Sequence, residues 1–523
     1  MKVMDPSSYL EDAAHFPGGH AAGIVFPQTI DEVTVAIVAA STVLPIGAQS
    51  SLTGGATPFG ETIVSTARMT RVLAETASSI TVQPGITIAA IQQHLARRGA
   101  WFPPAPTFTG ACAGGIVATN AAGAGTFKYG STREWVEALT VVLADGSVAQ
   151  LQRGQARAVA GALDIGVGAG CSRPGGFRSV PVPTYKMPDV AKKSAGYFAA
   201  PGMDAIDLFI GSEGTLGVIV EVTFRVLSPP PNIAFAMVPC GSEEQAFQLT
   251  GRLRDASLAT RVSRDGAGID ARAIESIDRR GIDVLLEDGV TERESVRFPP
   301  QTAMVLFVQL ELPADVDAER AYQQIGGDLN RPAADSALGR FCRLVSDEGL
   351  LDVTEMAMPG DLRRVQQLTA LREAVPAGVN HRVALAARSV DSRITKTAAD
   401  MVVPFRHLPE MNAAYRHGFE SRGLDYAIWG HISDGNLHPN VIPRSYEDVE
   451  RGREAILEFG RAVARLGGCP LAEHGVGRNA VKQELLRDLF GDTGLEQMRA
   501  VKRALDPKGK LAPGVIFPAI MSA

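Results

Sequence analysis

The stretch that decides the fold reads Pro45-Ile46-Gly47-Ala48-Gln49-Ser50-Ser51-Leu52-Thr53-Gly54-Gly55-Ala56. It follows an apolar segment, and its glycines and small hydroxyl side chains leave the backbone accessible. Successive backbone N–H groups in such a loop can form a concavity that binds an anion such as a pyrophosphate. Taken alone, a loop of this kind is more often an ordinary surface turn, so its meaning depends on the rest of the chain.

Two more glycine-rich elements follow this loop. The first opens with Pro103-Pro104-Ala105-Pro106-Thr107, continues as Gly110-Ala111-Cys112-Ala113-Gly114-Gly115-Ile116-Val117-Ala118-Thr119-Asn120-Ala121-Ala122-Gly123 and ends with Lys128-Tyr129-Gly130. The second reads Asp207-Leu208-Phe209-Ile210-Gly211-Ser212-Glu213-Gly214-Thr215-Leu216-Gly217-Val218-Ile219 and combines a turn with the start of a strand. So many residues without bulk suit a backbone that lies flat against a long planar cofactor.

The first part of the chain alternates strand and helix patterns. Thr29-Ile30-Asp31-Glu32 is a capping box, which predicts a helix that carries apolar residues at helical spacing. Turn and periodicity signals predict the other elements: strand Ser79–Gln83, helix Thr87–Arg98, a hairpin of Leu139–Leu143 and Val148–Leu151, and strand Thr215–Leu227.

A domain boundary is expected at Ser228-Pro229-Pro230-Pro231, because consecutive prolines stop strand pairing. The predicted domains are 1–228 and 229–523, with about the last 30 residues packing back on the first domain. Beyond the boundary, strands are predicted at Ile233–Val238 and Ala303–Leu312, and helices at Glu243–Asp255 and Ala318–Asn330. This alternation is typical of an α+β domain with helices on one face of a sheet.

Composition excludes several classes of protein. The net charge is -6 and no Lys/Arg stripe is evident, so no nucleic-acid partner is expected. The five cysteines are scattered and form no C-x-x-C pair, which argues against disulfides and iron–sulfur clusters. No apolar run predicts a transmembrane segment or a signal peptide. We expect a cytoplasmic protein, with peripheral contact to the inner membrane as an alternative, and a homodimer is compatible with the sequence.

A histidine-containing hairpin is predicted in the second domain, at Tyr426-Ala427-Ile428-Trp429-Gly430-His431-Ile432-Ser433-Asp434-Gly435-Asn436-Leu437-His438-Pro439-Asn440-Val441. If Asp434-Gly435 is a two-residue loop, His431 pairs with His438. Their Cβ atoms would then lie roughly 5 Å apart, which suits chelation of one metal ion. Asn440 falls on the same face of its strand.

A third metal ligand is available in Cys469-Pro470-Leu471-Ala472-Glu473-His474-Gly475-Val476-Gly477-Arg478, where Glu473 offers a carboxylate. Two histidines and a carboxylate suit zinc, with manganese and ferrous iron as alternatives. From spacing alone, histidines that hydrogen-bond within a core hairpin are an equally good interpretation.

Together these motifs resemble the vanillyl-alcohol-oxidase-type flavoproteins, and within them the branch of D-lactate, glycolate and D-2-hydroxyglutarate dehydrogenases. The resemblance covers nearly the whole chain, with the three glycine-rich elements in the family's order. It implies an α+β fold, in which a two-subdomain FAD-binding domain of the PCMH type precedes an α+β substrate or cap domain with an antiparallel sheet. The residues that would hold FAD without a covalent link are Pro45, Gly47, Ala48, Gln49, Ser50, Ser51, Leu52, Gly54, Pro106, Thr107, Ala113, Gly114, Gly115, Ala118, Asn120, Gly123, Tyr129, Glu213, Gly214, Gly217 and Ile219.

The chain departs from the family's pattern in its first loop. Many relatives have Gly where this chain has Gln49, so a different loop geometry is expected there. Residues 45–56 contain no His or Cys for a covalent flavin link, and Cys112 is expected to pack. A Rossmann alternative rests on Gly166-Val167-Gly168-Ala169-Gly170, but the following Cys171-Ser172-Arg173-Pro174-Gly175-Gly176 cannot open the required helix.

The resemblance also implies the roles of the polar residues. His431, His438 and Glu473 match metal ligands, and His474 matches the proton acceptor at the flavin. Arg372, Lys396 and Asn440 resemble groups that bind the substrate carboxylate, although a solvated helix charge is an alternative for Arg372 and Lys396. Some relatives have Thr where this chain has Pro376, which leaves the identity of the acid open.

The implied activity is hydride transfer from a D-2-hydroxy acid to FAD, which yields the 2-oxo acid. An external acceptor must then reoxidise the flavin: oxygen, a quinone, a cytochrome, an electron-transfer flavoprotein or an Fe–S subunit. The main alternative is a flavin-bearing subunit of a larger electron-transfer complex with little activity alone. A metal hydrolase would leave the FAD-type elements unexplained, and the ether-lipid synthase branch would need an apolar tunnel that the sequence does not indicate.

Overall fold

The computed structural model describes residues 3–104, 106–168, 175–325 and 335–518. The strands are β1 (Gly23–Val25), β2 (Val43–Ile46), β3 (Thr62–Ser65), β4 (Val72–Glu75), β5 (Ser79–Val82), β6 (Val136–Val142), β7 (Val148–Gln152), β8 (Ala162–Val167), β9 (Gly176–Pro181), β10 (Val218–Arg225), β11 (Asn232–Cys240), β12 (Ala271–Asp278), β13 (Met304–Leu312), β14 (Glu355–Ala357), β15 (Met401–Val402), β16 (Tyr426–His431) and β17 (Asn436–Val441).

The α-helices are α1 (Ile30–Ala39), α2 (Ile88–Ala96), α3 (Ala113–Ala118), α4 (Thr126–Tyr129), α5 (Ala205–Phe209), α6 (Glu243–Ser263), α7 (Arg279–Glu287), α8 (Val290–Arg293), α9 (Ala318–Ile325), α10 (Ala337–Asp347), α11 (Leu362–Ser389), α12 (Leu408–Glu420), α13 (Tyr446–Arg465) and α14 (Ala480–Leu505). Short 3-10 helices lie at Ser7–Tyr9, Thr132–Trp135, Leu351–Val353, Phe405–His407 and Ile432–Asp434.

The chain forms two compact units. The first comprises Met1–Gly123, Gly130–Ser228 and Gly467–Ala523, and the second comprises Ala124–Tyr129 and Pro229–Leu466. More of the C-terminal chain therefore belongs to the first unit than the sequence suggested. No sequence pattern predicted that the short segment Ala124–Tyr129, which contains α4, belongs to the second unit.

The first unit contains two sheets. One is parallel, with the strand order β1-β3-β2, and the other is antiparallel, with the order β4-β5-β10-β6-β7-β8-β9. Val33 and Ile37 of α1 pack in one core cluster with apolar side chains of β2, β3, β6 and β10. These buried side chains explain the helical spacing of the apolar residues after Thr29.

The predicted elements of the first unit are confirmed, with boundaries shifted by a few residues. The Thr29 hydroxyl accepts a hydrogen bond from the Glu32 N–H at 3.2 Å, while the Glu32 carboxylate accepts one from the Gln28 N–H at 2.7 Å. The predicted hairpin forms, and Val142 of β6 pairs with Val148 of β7. Of the Rossmann alternative, residues 169–174 lie outside the described residues, and β8 pairs in antiparallel fashion with β9.

The second unit contains a seven-stranded antiparallel sheet with the order β14-β11-β13-β12-β16-β17-β15. Its main core lies between this sheet and the helices α7 and α11, with Ile277, Trp429 and Leu371 among the buried members. The predicted α+β class is confirmed. The helix predicted to end at Asn330 is seen as far as Ile325, and residues 326–330 lie outside the described residues.

No helix in the described ranges is both long enough and apolar enough to span a membrane.

Candidate functional site

Strand β2 leads into the first glycine-rich loop. A Cβ atom on Gly47 would lie 3.1 Å from the Cβ of Cys112, so this turn packs closely against the second glycine-rich element. Cys112 is buried, as expected, and burial raises the pKa of its thiol. A buried, protonated thiol is a packing group rather than a nucleophile.

Gln49 occupies a backbone conformation that usually favours glycine. Its φ is 50°, in the left-handed region. The side-chain amide donates hydrogen bonds to the carbonyls of Tyr9 at 3.0 Å and Ala56 at 2.9 Å. The loop therefore keeps the turn that a glycine would adopt, and the Gln49 side chain stabilises this turn through two hydrogen bonds.

The second glycine-rich element forms α3 and the turn after it. A Cβ on Gly114 would lie 2.7 Å from the Cβ of Pro84, whereas a Cβ on Gly115 would meet nothing within 4 Å. The backbone at Gly115 is thus open to a close approach by a flat ligand. Asn120 (φ 47°) uses its side-chain carbonyl to accept hydrogen bonds from the Ser131 hydroxyl and the Arg133 N–H, both at 3.0 Å.

The third element packs against the first. A Cβ on Gly214 (φ 73°) would lie 2.7 Å from the Cγ of Pro45, and a Cβ on Gly217 would lie 2.3 Å from a methyl group of Val141. The Glu213 N–H donates to the Ala118 carbonyl at 2.7 Å. The first unit therefore brings the three glycine-rich elements together, and their glycines allow the close backbone packing.

The Glu213 side chain supports a different loop. Its carboxylate accepts hydrogen bonds from the backbone N–H groups of Val476 and Gly477, each at 2.8 Å. Burial raises the pKa of Glu213 to about 7, against the lowering effect of these two hydrogen bonds. Glu213 thus holds the segment that begins with Glu473 and His474.

That segment also packs on the first glycine-rich loop. A Cβ on Gly477 (φ 59°) would lie 2.2 Å from the hydroxyl oxygen of Thr53, so only glycine fits. The Arg478 N–H donates to the Thr53 carbonyl at 2.9 Å, and the Arg478 guanidinium pairs with the buried Glu61 at 2.7 Å. These contacts hold the segment that follows His474 against the loop that begins at Pro45.

Glu473 has a buried partner within the first unit. It forms an ion pair with the ammonium of Lys192, a side chain with 0% exposure. The neighbouring His474 is more accessible, at 30% exposure. The first unit therefore contains the partly exposed imidazole of His474 next to the carboxylate of Glu473, which is paired with the buried ammonium of Lys192.

The predicted hairpin register in the second unit is wrong. His431 pairs with Asn436, and His438 pairs with Trp429, because the loop has four residues, Ile432–Gly435, rather than two. Tertiary contacts favour the longer loop: the Ser433 hydroxyl accepts from the Ile274 N–H at 3.2 Å.

The two histidines nevertheless meet. Because Trp429 and His431 share one face of β16, His438 and His431 are diagonal neighbours on that face. Their ring centroids lie 5.5 Å apart, and both side chains are buried. The predicted proximity is confirmed, although by a different register.

Each imidazole has a carboxylate on the adjacent strand. The pairing of Ile277 with Trp429, continued by two residues, places Glu275 opposite His431, and Glu275 Oε1 lies 3.0 Å from His431 Nδ1. On the other side of the hairpin, Asp400 Oδ1 lies 3.4 Å from His438 Nδ1. Such carboxylate–histidine pairs are common where the opposite ring nitrogen binds a metal.

Three proposed substrate groups lie in the same unit. Arg372 of α11 forms an ion pair with Glu275, and together with His431 it lowers the pKa of Glu275 to about 2 although burial opposes this. The Asn440 side-chain amide donates to the His438 carbonyl at 2.7 Å, while its own Oδ1 has no hydrogen-bond partner among the described residues. Lys396 donates to the Asn380 side chain at 2.9 Å.

Pro376 lies inside α11, one turn after Arg372. Proline has no N–H, so the hydrogen bond that would normally end at the Arg372 carbonyl is missing. The helix that carries Arg372, a proposed substrate group, therefore lacks one backbone hydrogen bond directly after this residue.

The predicted site residues fall on both units. The first unit contains all the proposed FAD contacts except Tyr129, together with Glu473 and His474. The second contains Arg372, Lys396, His431, His438 and Asn440. It also contains Tyr129, whose hydroxyl donates to Glu311 at 2.5 Å.

Sequence reasoning missed Glu275, Asp400 and Lys192 as partners of the candidate site. A signal existed for Glu275, which is an ionisable residue that alternates with the apolar Ala273 and Ile277 along a central strand. Asp400 and Lys192 show no comparable pattern, because neither of them interrupts an apolar alternation within a strand.

Comparisons with curated proteins give dehydrogenases and an oxidase subunit. D-2-hydroxyglutarate dehydrogenase of Stutzerimonas stutzeri (strain A1501) is 26% identical, over 99% of this chain and 97% of the relative. The mitochondrial D-2-hydroxyglutarate dehydrogenase of Bos taurus is 29% identical, over 91% and 72%. Glycolate oxidase subunit GlcD of Bacillus subtilis (strain 168) is 25% identical, over 94% and 88%.

A solved structure of alkyldihydroxyacetonephosphate synthase shares the fold, with a TM-score of 0.58 at 14% identity over 94% of this chain and 75% of that one. Residues 21–152 match the family described as FAD binding domain. Residues 230–516, more than half of the chain, match the family described as FAD linked oxidases, C-terminal domain. The chain is therefore a member of the FAD-linked oxidase family.

Proposed function

We propose that this protein oxidises a D-2-hydroxy acid to the corresponding 2-oxo acid, with FAD as the hydride acceptor and with a divalent cation that polarises the 2-hydroxyl group. The observation that carries the proposal is the face of the second unit's sheet on which His431, His438 and Arg372 meet two buried carboxylates. The names of the related dehydrogenases support the same substrate class.

FAD fits the residues of the first unit. The glycine-rich loops there give backbone surfaces without side-chain bulk, and the backbone at Gly115 is open to a close approach. The loop from Pro45 to Gly54 would hold the pyrophosphate. No covalent link to the flavin is expected, because residues 45–56 contain no His or Cys and the thiol of Cys112 is buried with a raised pKa. When bound, FAD supplies the acceptor for the hydride and the metal polarises the 2-hydroxyl group.

A divalent cation fits the donor set of the second unit. Two buried imidazoles lie close together, each with a carboxylate at its Nδ1, and the Asn440 Oδ1 nearby has no partner among the described residues. Zinc is the metal that such ligands favour, with manganese and iron as alternatives. Glu473 as the third ligand stays a prediction from the sequence.

The remaining groups bind the acid and move its proton. Arg372 offers a planar fork for the carboxylate, and Lys396 and Asn440 add polar contacts. His474 accepts the proton of the 2-hydroxyl group at a ring nitrogen. Glu213 and Thr53 position His474 through the backbone of the loop that follows it.

The decisive experiment is an anaerobic titration of the purified protein, followed by its visible absorption spectrum. D-lactate, glycolate, D-2-hydroxyglutarate, D-malate and L-lactate are added in turn. We expect either one of the D-hydroxy acids or the achiral glycolate to bleach the flavin band, and L-lactate to leave it unchanged. His474→Ala should abolish bleaching, and His417→Ala, which changes an exposed histidine, should not affect it. A flavoprotein that none of these acids reduces contradicts the proposal, and a protein that cannot be reconstituted with FAD removes its basis.

A second candidate is a flavin-bearing subunit that is active only within an electron-transfer complex. The similarity to a glycolate oxidase subunit favours this alternative. It predicts that the isolated chain turns over poorly even with an artificial dye acceptor, and that added Fe–S partner subunits restore the rate. Rapid turnover of the isolated chain with the dye would exclude it.

A further inference from the structure

Glu275 lies between a proposed metal ligand and a proposed substrate group. A single carboxylate oxygen, Oε1, contacts Arg372 Nη2 and lies 3.0 Å from His431 Nδ1. Glu275 comes from β12, Arg372 from α11 and His431 from β16, so three separate elements converge on this oxygen. All three side chains are at most 13% exposed.

The contact with Glu275 favours the tautomer of His431 in which Nδ1 carries the proton. When Nδ1 carries its proton toward a carboxylate, the lone pair of Nε2 is left for a metal. The carboxylate also fixes the orientation of the ring. Glu275 therefore prepares His431 as a ligand without touching the metal itself.

The contact with Arg372 fixes the guanidinium. One N–H group points at Glu275, and the rest of the planar fork is left for the carboxylate of the acid. Orienting this fork before the acid binds lowers the entropic cost of binding. A buried arginine without this carboxylate would be free to take other orientations.

We propose that Glu275 is a positioning residue that orients His431 for the metal and Arg372 for the substrate carboxylate at the same time. The inference rests on the proposed function, because it assumes that the second unit binds a metal and a hydroxy acid. It adds a specific dependence: a change at Glu275 weakens both kinds of binding together.

The test is Glu275→Gln in the full-length protein. We expect the affinity of the metal-free protein for Zn²⁺, measured by competition with a chromophoric chelator, to fall about 10–100-fold. We also expect a higher KM for the acid that reduces the wild-type flavin. Glu275→Asp keeps the charge but shortens the side chain, and it should be impaired in both measurements even if Glu275→Gln folds poorly.

The matched control is Asp278→Asn. Asp278 is a buried carboxylate on the same strand, and it accepts hydrogen bonds from the Gly281 N–H at 2.8 Å and the Ile428 N–H at 2.9 Å. Its loss should lower the thermal stability but leave the Zn²⁺ affinity and KM at wild-type values.

The outcomes separate the inference from the proposed function. Wild-type Zn²⁺ affinity and KM in both Glu275 variants would overturn the role of Glu275 alone. Equal losses in Asp278→Asn would also overturn it, because the effect would then be general destabilisation. A wild-type protein that binds no Zn²⁺ and oxidises no hydroxy acid would overturn the proposed function and this inference together.

Discussion

Lys192 pairs its fully buried ammonium with the carboxylate of Glu473 inside the first unit. The two residues are distant in sequence, and neither charge is well hydrated. A buried ion pair contributes little when both partners are present, but the loss of one partner leaves an uncompensated charge.

We therefore expect Lys192→Met to lower the free energy of unfolding by about 3–5 kcal/mol. The measurement is chemical unfolding of the purified protein. The control is Lys193→Met, because the adjacent ammonium only reaches the backbone carbonyl of Pro188 at 3.4 Å. Equal stability of the two variants would show that the pair with Glu473 is unimportant.

The loop after His474 gives a second prediction. Gly477→Ala introduces a Cβ that would lie 2.2 Å from Thr53, so the loop must move away from the first glycine-rich loop. We expect lower flavin content and slower flavin reduction. Gly467→Ala is the control, since Gly467 has a similar φ of 77° but nothing within 4 Å. The control should be destabilised only by the strain of an alanine in the left-handed region, on the order of 1–2 kcal/mol. Similar behaviour of both variants would rule out the contact with Thr53 as the cause.

Glu213 predicts a pH dependence of stability. Its pKa in the folded protein is raised to about 7 from the ordinary 4.5, so the folded state binds the proton more tightly than the unfolded state. This contribution to stability is complete below the ordinary pKa and is lost as the pH rises through about 7.

In Glu213→Gln this titration is absent. The Tm of the variant relative to the wild type should therefore be higher at about pH 8 than at about pH 5. The measurement is thermal unfolding of both proteins in matched buffers. A Tm difference that does not change with pH would contradict the raised pKa.

Gln49 allows a comparison of two small substitutions. Both Gln49→Ala and Gln49→Gly remove the hydrogen bonds to Tyr9 and Ala56, but only glycine relieves the positive φ of 50°. We expect the glycine variant to be more stable than the alanine variant by about 1 kcal/mol, as measured by chemical unfolding. The opposite order would show that the loop does not keep its left-handed turn in solution.

The sequence by itself determined the local elements and the chemical types of the candidate site. Capping at Thr29, the turn between β6 and β7 and the small residues around Gly114 depend on neighbours in sequence, so their patterns predict them. The motif around His431 and His438 likewise predicted that these two side chains lie close together. Its register was wrong, because the loop length depends on the contact between Ser433 and a distant strand.

Only the tertiary structure decided which partners surround these residues. Glu275 meets Arg372 and His431, and Lys192 meets Glu473, through strands and loops that are far apart along the chain. No local pattern encodes such contacts, because they arise from sheet order and from the packing of a helix across the sheet. The physical reason is that a buried charge needs an opposite charge, but the sequence does not state which distant one the fold will supply.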